Sequence, residues 1–295
     1  MFYSLYNETV VSSVSLKDFG MQKIKDPPLL NVINIDFVPS TREKFIKYEN
    51  HQTSSNEDYG SYFIEDIGMF EIFSGKKIVV NYFDEIDHDL IHTLLNFPFA
   101  ILFNQRKKYV LHAASVIFQD KVFCFCGQTQ SGKSSIASFL INNGGSLLSE
   151  DTCVFDYIDN KLSLLPSYNF LKLSDEVGEY TNTVSINPIK FIKKLTDRKG
   201  HILDRERFST ETRPVDYFIY LQWSKGSSNL EALNNETAIQ KLLSNEFISY
   251  SKETALQRFK DASTLVADAE HYLYTREKKL TTLDDFLKII NKKLI

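Results

Sequence analysis

Residues 111–140 read LHAASVIFQDKVFCFCGQTQSGKSSIASFL, and no other run of the 295-residue chain limits its fold as tightly. Val122–Cys126 is short, apolar and aromatic, as a buried strand is, and Lys133–Asn142 has the apolar spacing of a helix. Between them, Gly127, Gly132, Lys133 and Ser134 complete the pattern G-x-x-x-x-G-K-[ST]. Glycines at these positions let successive backbone N–H groups turn inward, and the helix that follows points its positive end at the same spot. The expected occupant is a nucleotide polyphosphate, cradled by Gly127, Gln128, Thr129, Gln130, Ser131, Gly132, Lys133, Ser134 and Ser135. Lys133 would bridge the outer phosphates and the Ser134 hydroxyl would ligate Mg²⁺. Asn143, Gly144 and Gly145 then supply a helix stop.

A hydrophobic content of 43% is enough for a large core, arranged as one large domain or two moderate ones. The net charge of −4 provides no global field for nucleic acid, so anion binding has to be local. The apolar stretch Leu94–Phe103 is too short to span a bilayer, and the N-terminus MFYSLYNETVV lacks the character of a signal peptide. A cytoplasmic protein without a membrane or nucleic-acid partner is expected. Cys124, Cys126 and Cys153 sit in strand-like runs, the first two on one face, and read as buried thiols in a reducing compartment.

Residues 1–88 read as a β-rich module, with strands near Val10–Ser15, Leu30–Phe37 and Lys77–Tyr82 and an exposed loop over 49–62. A helix is expected from Ile86 to Arg106, with Leu90, Leu94, Leu95 and Phe99 along one stripe and Pro98 interrupting it. Residues 89–295 then form the catalytic domain. Tyr109–Phe118 reads as a strand, joined across Gln119-Asp120 to the strand that enters the loop. Ser146–Ser149 is a further strand, and Thr152–Tyr157 pairs with Leu162–Leu165 across Asp159-Asn160. Beyond the strand Val215–Gln222, helices are expected near 235–248, 252–268 and 282–293, the last with a capping-box-like start at Thr281 and Asp284.

Glu150 and Asp151 end the strand that follows the loop helix. A strand returning beside the first after one helix delivers its C-terminal end to the edge that carries the loop. Two carboxylates there divide the labour: with Ser134 they form the metal-ligand set, and Asp151 takes the proton of an incoming hydroxyl. His112, on the strand paired with the loop strand, lies near the base of the same site as an orienting or charge-tuning group.

Together LHAAS, the hairpin, GQTQSGKSS and LLSED resemble the kinases related to the bacterial HPr serine kinase/phosphorylase, in particular a short branch that includes kinases of lasso-peptide precursors. The resemblance implies an α/β fold, with an α+β N-terminal part, a P-loop kinase core of HPr-kinase/PEP-carboxykinase-like type built on a mixed sheet, and a helical C-terminal tail. It also implies ATP and Mg²⁺ as cofactors, Asp151 as base, Glu150, His112 and Lys133 in support, and a peptide or small-protein phosphoacceptor. Glu150 stands where the HPr enzymes usually have Asp, and the stretch YNFLKLSDEVGEYTNTVS lacks their arginine-glycine signature, so a target other than HPr fits better. Homo-oligomerisation stays open.

Residues 190–213 add a local excess of positive charge, with Lys190, Lys193, Lys194, Arg198, Lys199, Arg205, Arg207 and Arg213 as candidates for a basic loop over the phosphates. A kinase acting on a serine hydroxyl is the first expectation. The alternatives are a nucleotide-binding regulatory module that transfers nothing and a small-molecule kinase.

Overall fold

The structure is a computed structural model and describes residues 1–28, 30–183, 188–192, 197–247 and 252–295. It is a mixed α/β protein with several sheets.

The N-terminal strands are β1 (Phe2–Leu5), β2 (Glu8–Ser12), β3 (Gln22–Lys23), β4 (Val32–Pro39), β5 (Thr53–Ser55), β6 (Tyr59–Ile64), β7 (Gly68–Phe73) and β8 (Lys77–Tyr82). They form one sheet in the order β3-β1-β2-β4-β8-β7-β6-β5. Part of the span 49–62 read as a loop is therefore paired. Its polar, serine-rich composition suits an exposed edge strand, and Thr53, Ser54 and Ser55 are all exposed.

The single helix expected over 86–106 is two, α1 (His88–Leu95) and α2 (Phe97–Gln105). Asn96 breaks the run with φ −101° and ψ −100°, and Pro98 sits in the first turn of α2, where its missing N–H has no cost. Asp87 caps α1 by accepting from the Leu90 N–H at 2.8 Å. Leu90, Leu94, Phe99 and Phe103 pack against Tyr3, Val10, Ile35 and Phe70 of the first sheet.

The second sheet carries the loop. Its strands are β10 (Ala113–Phe118), β11 (Lys121–Cys126), β12 (Ser146–Ser149), β17 (Tyr217–Trp223), β18 (Asn229–Ala232) and β19 (Glu270–Arg276), in the order β12-β10-β11-β17-β19-β18. Gln119 and Asp120 turn β10 into β11 with φ of 48° and 61°, a turn whose twist matches that of the strands. The segment read as one strand over 109–118 divides at His112, because β9 (Tyr109–Leu111) pairs with β13 (Cys153–Ile158) while β10 pairs with β11. β13 also pairs with β14 (Lys161–Leu164), and β15 (Phe170–Leu173) pairs with β16 (Lys199–Ile202).

β12 was expected beside β11 and instead lies one strand away, antiparallel to β10. Two antiparallel steps restore its direction, so β12, β11, β17 and β19 all run the same way. Their C-terminal ends share one edge of the sheet.

Helix α3 (Lys133–Asn142) covers one face of this sheet with α7 (Thr282–Lys293), through Ile136, Leu140, Phe286 and Ile290. On the other face lie α5 (Asn235–Ser244) and α6 (Lys252–Asp268), through Leu242 and Leu265. A short α4 (Asp175–Tyr180) follows β15. Cys124, Cys126 and Cys153 are buried free thiols within that second core. Thr281 makes no side-chain cap on α7, since its backbone is already helical; Thr282 donates instead to the Lys279 carbonyl at 2.6 Å. Among the described residues no helix is long and apolar enough to cross a membrane.

Candidate active site

The loop from Gly127 to Gly132 leaves the end of β11 and enters α3, whose first residue is Lys133. Gly127 has φ +150° and Gly132 φ +95°, and a Cβ would meet Ser131 Oγ at 2.6 Å in the first case and Arg276 Nη2 at 2.2 Å in the second. Only glycine fits either position. The Gly127 N–H donates to Asn245 Oδ1 at 2.7 Å, which fixes the start of the loop. The Lys133 ammonium is buried and donates to the Gly127 carbonyl at 2.8 Å and the Gln128 carbonyl at 3.3 Å. Burial pulls its pKa down, against the pull of Asp151. The Ser131 hydroxyl is buried with no hydrogen-bond partner among the described residues, an orphan of the kind that a bound ligand satisfies.

At the second position of α3, Ser134 Oγ donates to Glu150 Oε1 at 2.6 Å. Glu150 is 3% exposed, and burial, reinforced by the neighbouring Asp151 charge, pushes its carboxyl up to about 8. In the protein alone it is mostly protonated at neutral pH. Asp151 behaves in the opposite way: burial raises its carboxyl, but Lys172 beside it leads the opposing effects, with His112 and His92, that together hold it below the ordinary carboxylate range. The Lys172 Nζ to Asp151 Oδ2 distance is 2.8 Å, with both side chains largely buried. Two adjacent carboxyls are thus driven apart, one neutral and one charged.

Asp151 also has φ +59°. The Thr152 N–H reaches back to the Glu150 carbonyl at 2.7 Å, so Asp151 is the central residue of a γ-turn in the costly left-handed region. Neighbours hold this turn in place. The His112 ring lies 3.1 Å through Nδ1 from the Asp151 carbonyl. A carbonyl can only accept, so Nδ1 carries the proton and Nε2 is left as an acceptor. Burial lowers the pKa of His112 and that of His92, keeping both rings neutral near pH 7, so that Lys172 supplies the opposing charge to Asp151. From the turn between β1 and β2, the Tyr6 hydroxyl donates to the Thr152 carbonyl at 2.8 Å.

A cavity of about 640 Å³ collects Lys133, Ser134, Asp151, His112, Lys172 and Arg198, and His51, Tyr62 and Phe97 also line it. Thr129, Gln130, Gly132 and Ser135 also line it, whereas Glu150 lies behind Ser134. Gly127, Gln128 and Ser131 face a second cavity beside Trp223 and Asn245. Of the described basic residues in 190–213, Arg198 is the one that lines the cavity. Lys199 pairs with Asp175 and Arg213 with Asp120, while Lys193 and Lys194 lie outside the described residues.

Sequence reasoning missed Lys172 and Asn245. Neither belongs to a motif; Lys172 sits on β15 in a sheet separate from the loop, and Asn245 ends α5 far along the chain.

Among the described residues no three His, Cys, Asp or Glu side chains gather to hold a metal. Mg²⁺ on a nucleotide does not require three, because it keeps waters and phosphate oxygens and takes one or two protein ligands. The Ser134 and Glu150 oxygens, hard donors in contact beside Lys133, fit that requirement.

No protein-family model matches the chain, and no curated protein matches its sequence. Among solved structures, the Hpr(Ser) kinase/phosphatase from Coxiella burnetii aligns over 63% of this chain and 92% of its own, at 9% identity and a TM-score of 0.32. A similarity of that strength decides nothing about chemistry, which has to be read from the geometry of the loop and the acidic turn.

Proposed function

We propose that the protein is an ATP- and Mg²⁺-dependent kinase that transfers the γ-phosphoryl group to the hydroxyl of a serine in a peptide or small protein. The observation that carries this reading is the meeting of two pairs at one sheet edge, Ser134 with Glu150 at 2.6 Å and Asp151 with Lys172 at 2.8 Å, beside the glycine loop. A module that only bound nucleotide would need a metal ligand but no second, ionised carboxylate in the cavity.

Gly127–Ser135 bind the polyphosphate through backbone N–H groups and the Lys133 ammonium. Ser134 and Glu150 would hold Mg²⁺, which would neutralise charge on the outer phosphates. Asp151 orients the acceptor hydroxyl. The hydroxyl oxygen forms a bond to the γ-phosphorus, the bond from that phosphorus to the β,γ-bridging oxygen breaks, and ADP leaves with the electron pair. The hydroxyl proton passes to Asp151. So weak a base suffices because phosphoryl transfer has a loose transition state, in which the proton leaves only when the new bond is well advanced. Lys172 keeps Asp151 ionised for this task, and Arg198 faces the transferring group from the cavity wall.

The test is calorimetry with Mg·ATP alongside a transfer assay on serine-containing peptides. Lys133→Ala abolishes ATP binding, whereas Asp151→Asn binds ATP within about threefold of wild type and loses about 10²- to 10⁴-fold in transfer. Wild-type protein that does not bind Mg·ATP, or an Asp151→Asn protein that transfers at full rate, refutes the reading.

A further inference from the structure

The parallel strands deliver more to the sheet edge than the loop and the acidic turn. β19 ends at Arg276, directly beside Trp223 at the end of β17. Arg276 is 2% exposed, its guanidinium lies 4.4 Å from the Trp223 ring centre, and its Nη1 donates to Thr282 Oγ1 at 2.9 Å. Nε has no hydrogen-bond partner among the described residues. The Trp223 indole N–H donates to the Gln130 carbonyl at 3.2 Å, so the loop, the ring and the guanidinium form one packed stack. Nη2 abuts Gly132 so closely that a Cβ there would fall 2.2 Å from it.

The electrostatics of this placement are unfavourable on their own. Among the described residues no carboxylate pairs with Arg276, and burial draws its pKa down to about 10. A buried cation without an anion is costly, because the hydration it gives up is not replaced. It also sits against the N-terminus of α3, where the helix already presents positive charge, next to the buried Lys133. A cation–π contact with Trp223 returns only part of the desolvation.

We propose that Arg276 is a fixed counter-charge behind the glycine loop, which makes the protein alone electrostatically unfavourable there and is relieved when a polyphosphate chain occupies the loop. It is a positioning residue that acts through the loop and Trp223. The inference rests on the phosphate-binding reading of that loop and adds to it a charge from the far end of the chain that the sequence motif does not contain.

The experiment compares wild type, Arg276→Met and Arg276→Lys. Thermal unfolding is measured together with affinity for Mg·ATP and for sodium tripolyphosphate without metal, at several salt concentrations. Methionine fills similar space without charge, so that variant unfolds at or above the wild-type temperature. It binds tripolyphosphate about tenfold or more weakly, with a shallower dependence on salt. Arg276→Lys recovers most of the affinity. A packing role alone predicts the reverse, a lower unfolding temperature with unchanged affinity and salt dependence, and that result overturns the assignment. Should the Met variant fail to fold, Arg276→Gln takes its place under the same affinity criterion. Wild-type protein that binds neither probe refutes the loop reading itself, whereas equal binding by wild type and variant overturns only the role of Arg276.

Discussion

Glu150→Gln tests the electrostatics of the acidic turn without any substrate. Gln accepts the Ser134 hydroxyl as Glu150 does, but it cannot ionise. A carboxyl raised by burial from 4.5 to about 8 binds its proton more tightly in the folded chain than in the unfolded one. Its contribution to stability is therefore complete below pH 4.5 and is lost as pH rises through about 8. The loss runs at about 1.4 kcal/mol per pH unit, about 5 kcal/mol over that interval. Relaxation and water entry around an ionising buried group reduce this, and about 2 kcal/mol is the working figure. For a chain of this size that corresponds to about 4 °C or more in melting temperature.

Melting curves from pH 6 to pH 9 in a chelator, for wild type and variant, isolate the effect, since every other titrating group is common to both. Asp151 does not interfere, because a depressed carboxyl adds stability that is lost only as pH falls well below this window. Only about two of those three and a half pH units lie between pH 6 and about 8, about 1 kcal/mol of the reduced figure, so the wild type should lose about 2 °C more than Glu150→Gln across the range. Parallel profiles refute the raised carboxyl. Adding Mg·ATP should stabilise the wild type more at pH 9 than at pH 6, because a metal ligand must first release its proton.

Two further substitutions probe the supporting residues. Lys172→Met removes the largest of the effects that oppose burial at Asp151, so the acid limb of the transfer rate should move up by about two pH units; an unmoved limb shows that another charge holds the carboxylate ionised. Asn245→Ala leaves the Gly127 N–H without its acceptor, which should lower stability by about 1 kcal/mol and weaken Mg·ATP binding several-fold, as denaturant titration and calorimetry can check.

The elements legible in the sequence are those whose signals are local. The helix Lys133–Asn142 lies where its periodicity put it, and the turns at Gln119-Asp120 and Asp159-Asn160 lie where turn chemistry put them. β19 was not seen as a strand because its inward positions include the polar His271 and Arg276, which interrupt the apolar alternation. The order of β10 and β12 was misjudged because nothing in a strand's own residues says which neighbour it will pair with. Lys172, Asn245 and Arg276 stayed hidden for a related reason: each meets the loop or the acidic turn only through tertiary pairing, and none has a characteristic spacing from the glycines.

The Tyr6 hydroxyl on the Thr152 carbonyl ties the opening strands to the acidic turn, and the buried Glu8 carboxylate on Arg106 and Lys108 ties them to the chain that leads into β9. Shortening this chain from its front end would therefore be felt as an injury to the acidic turn well before it registered as the loss of an appendage. A graft of these strands from some other protein would have to bring a phenol at the same spot to leave that turn undisturbed.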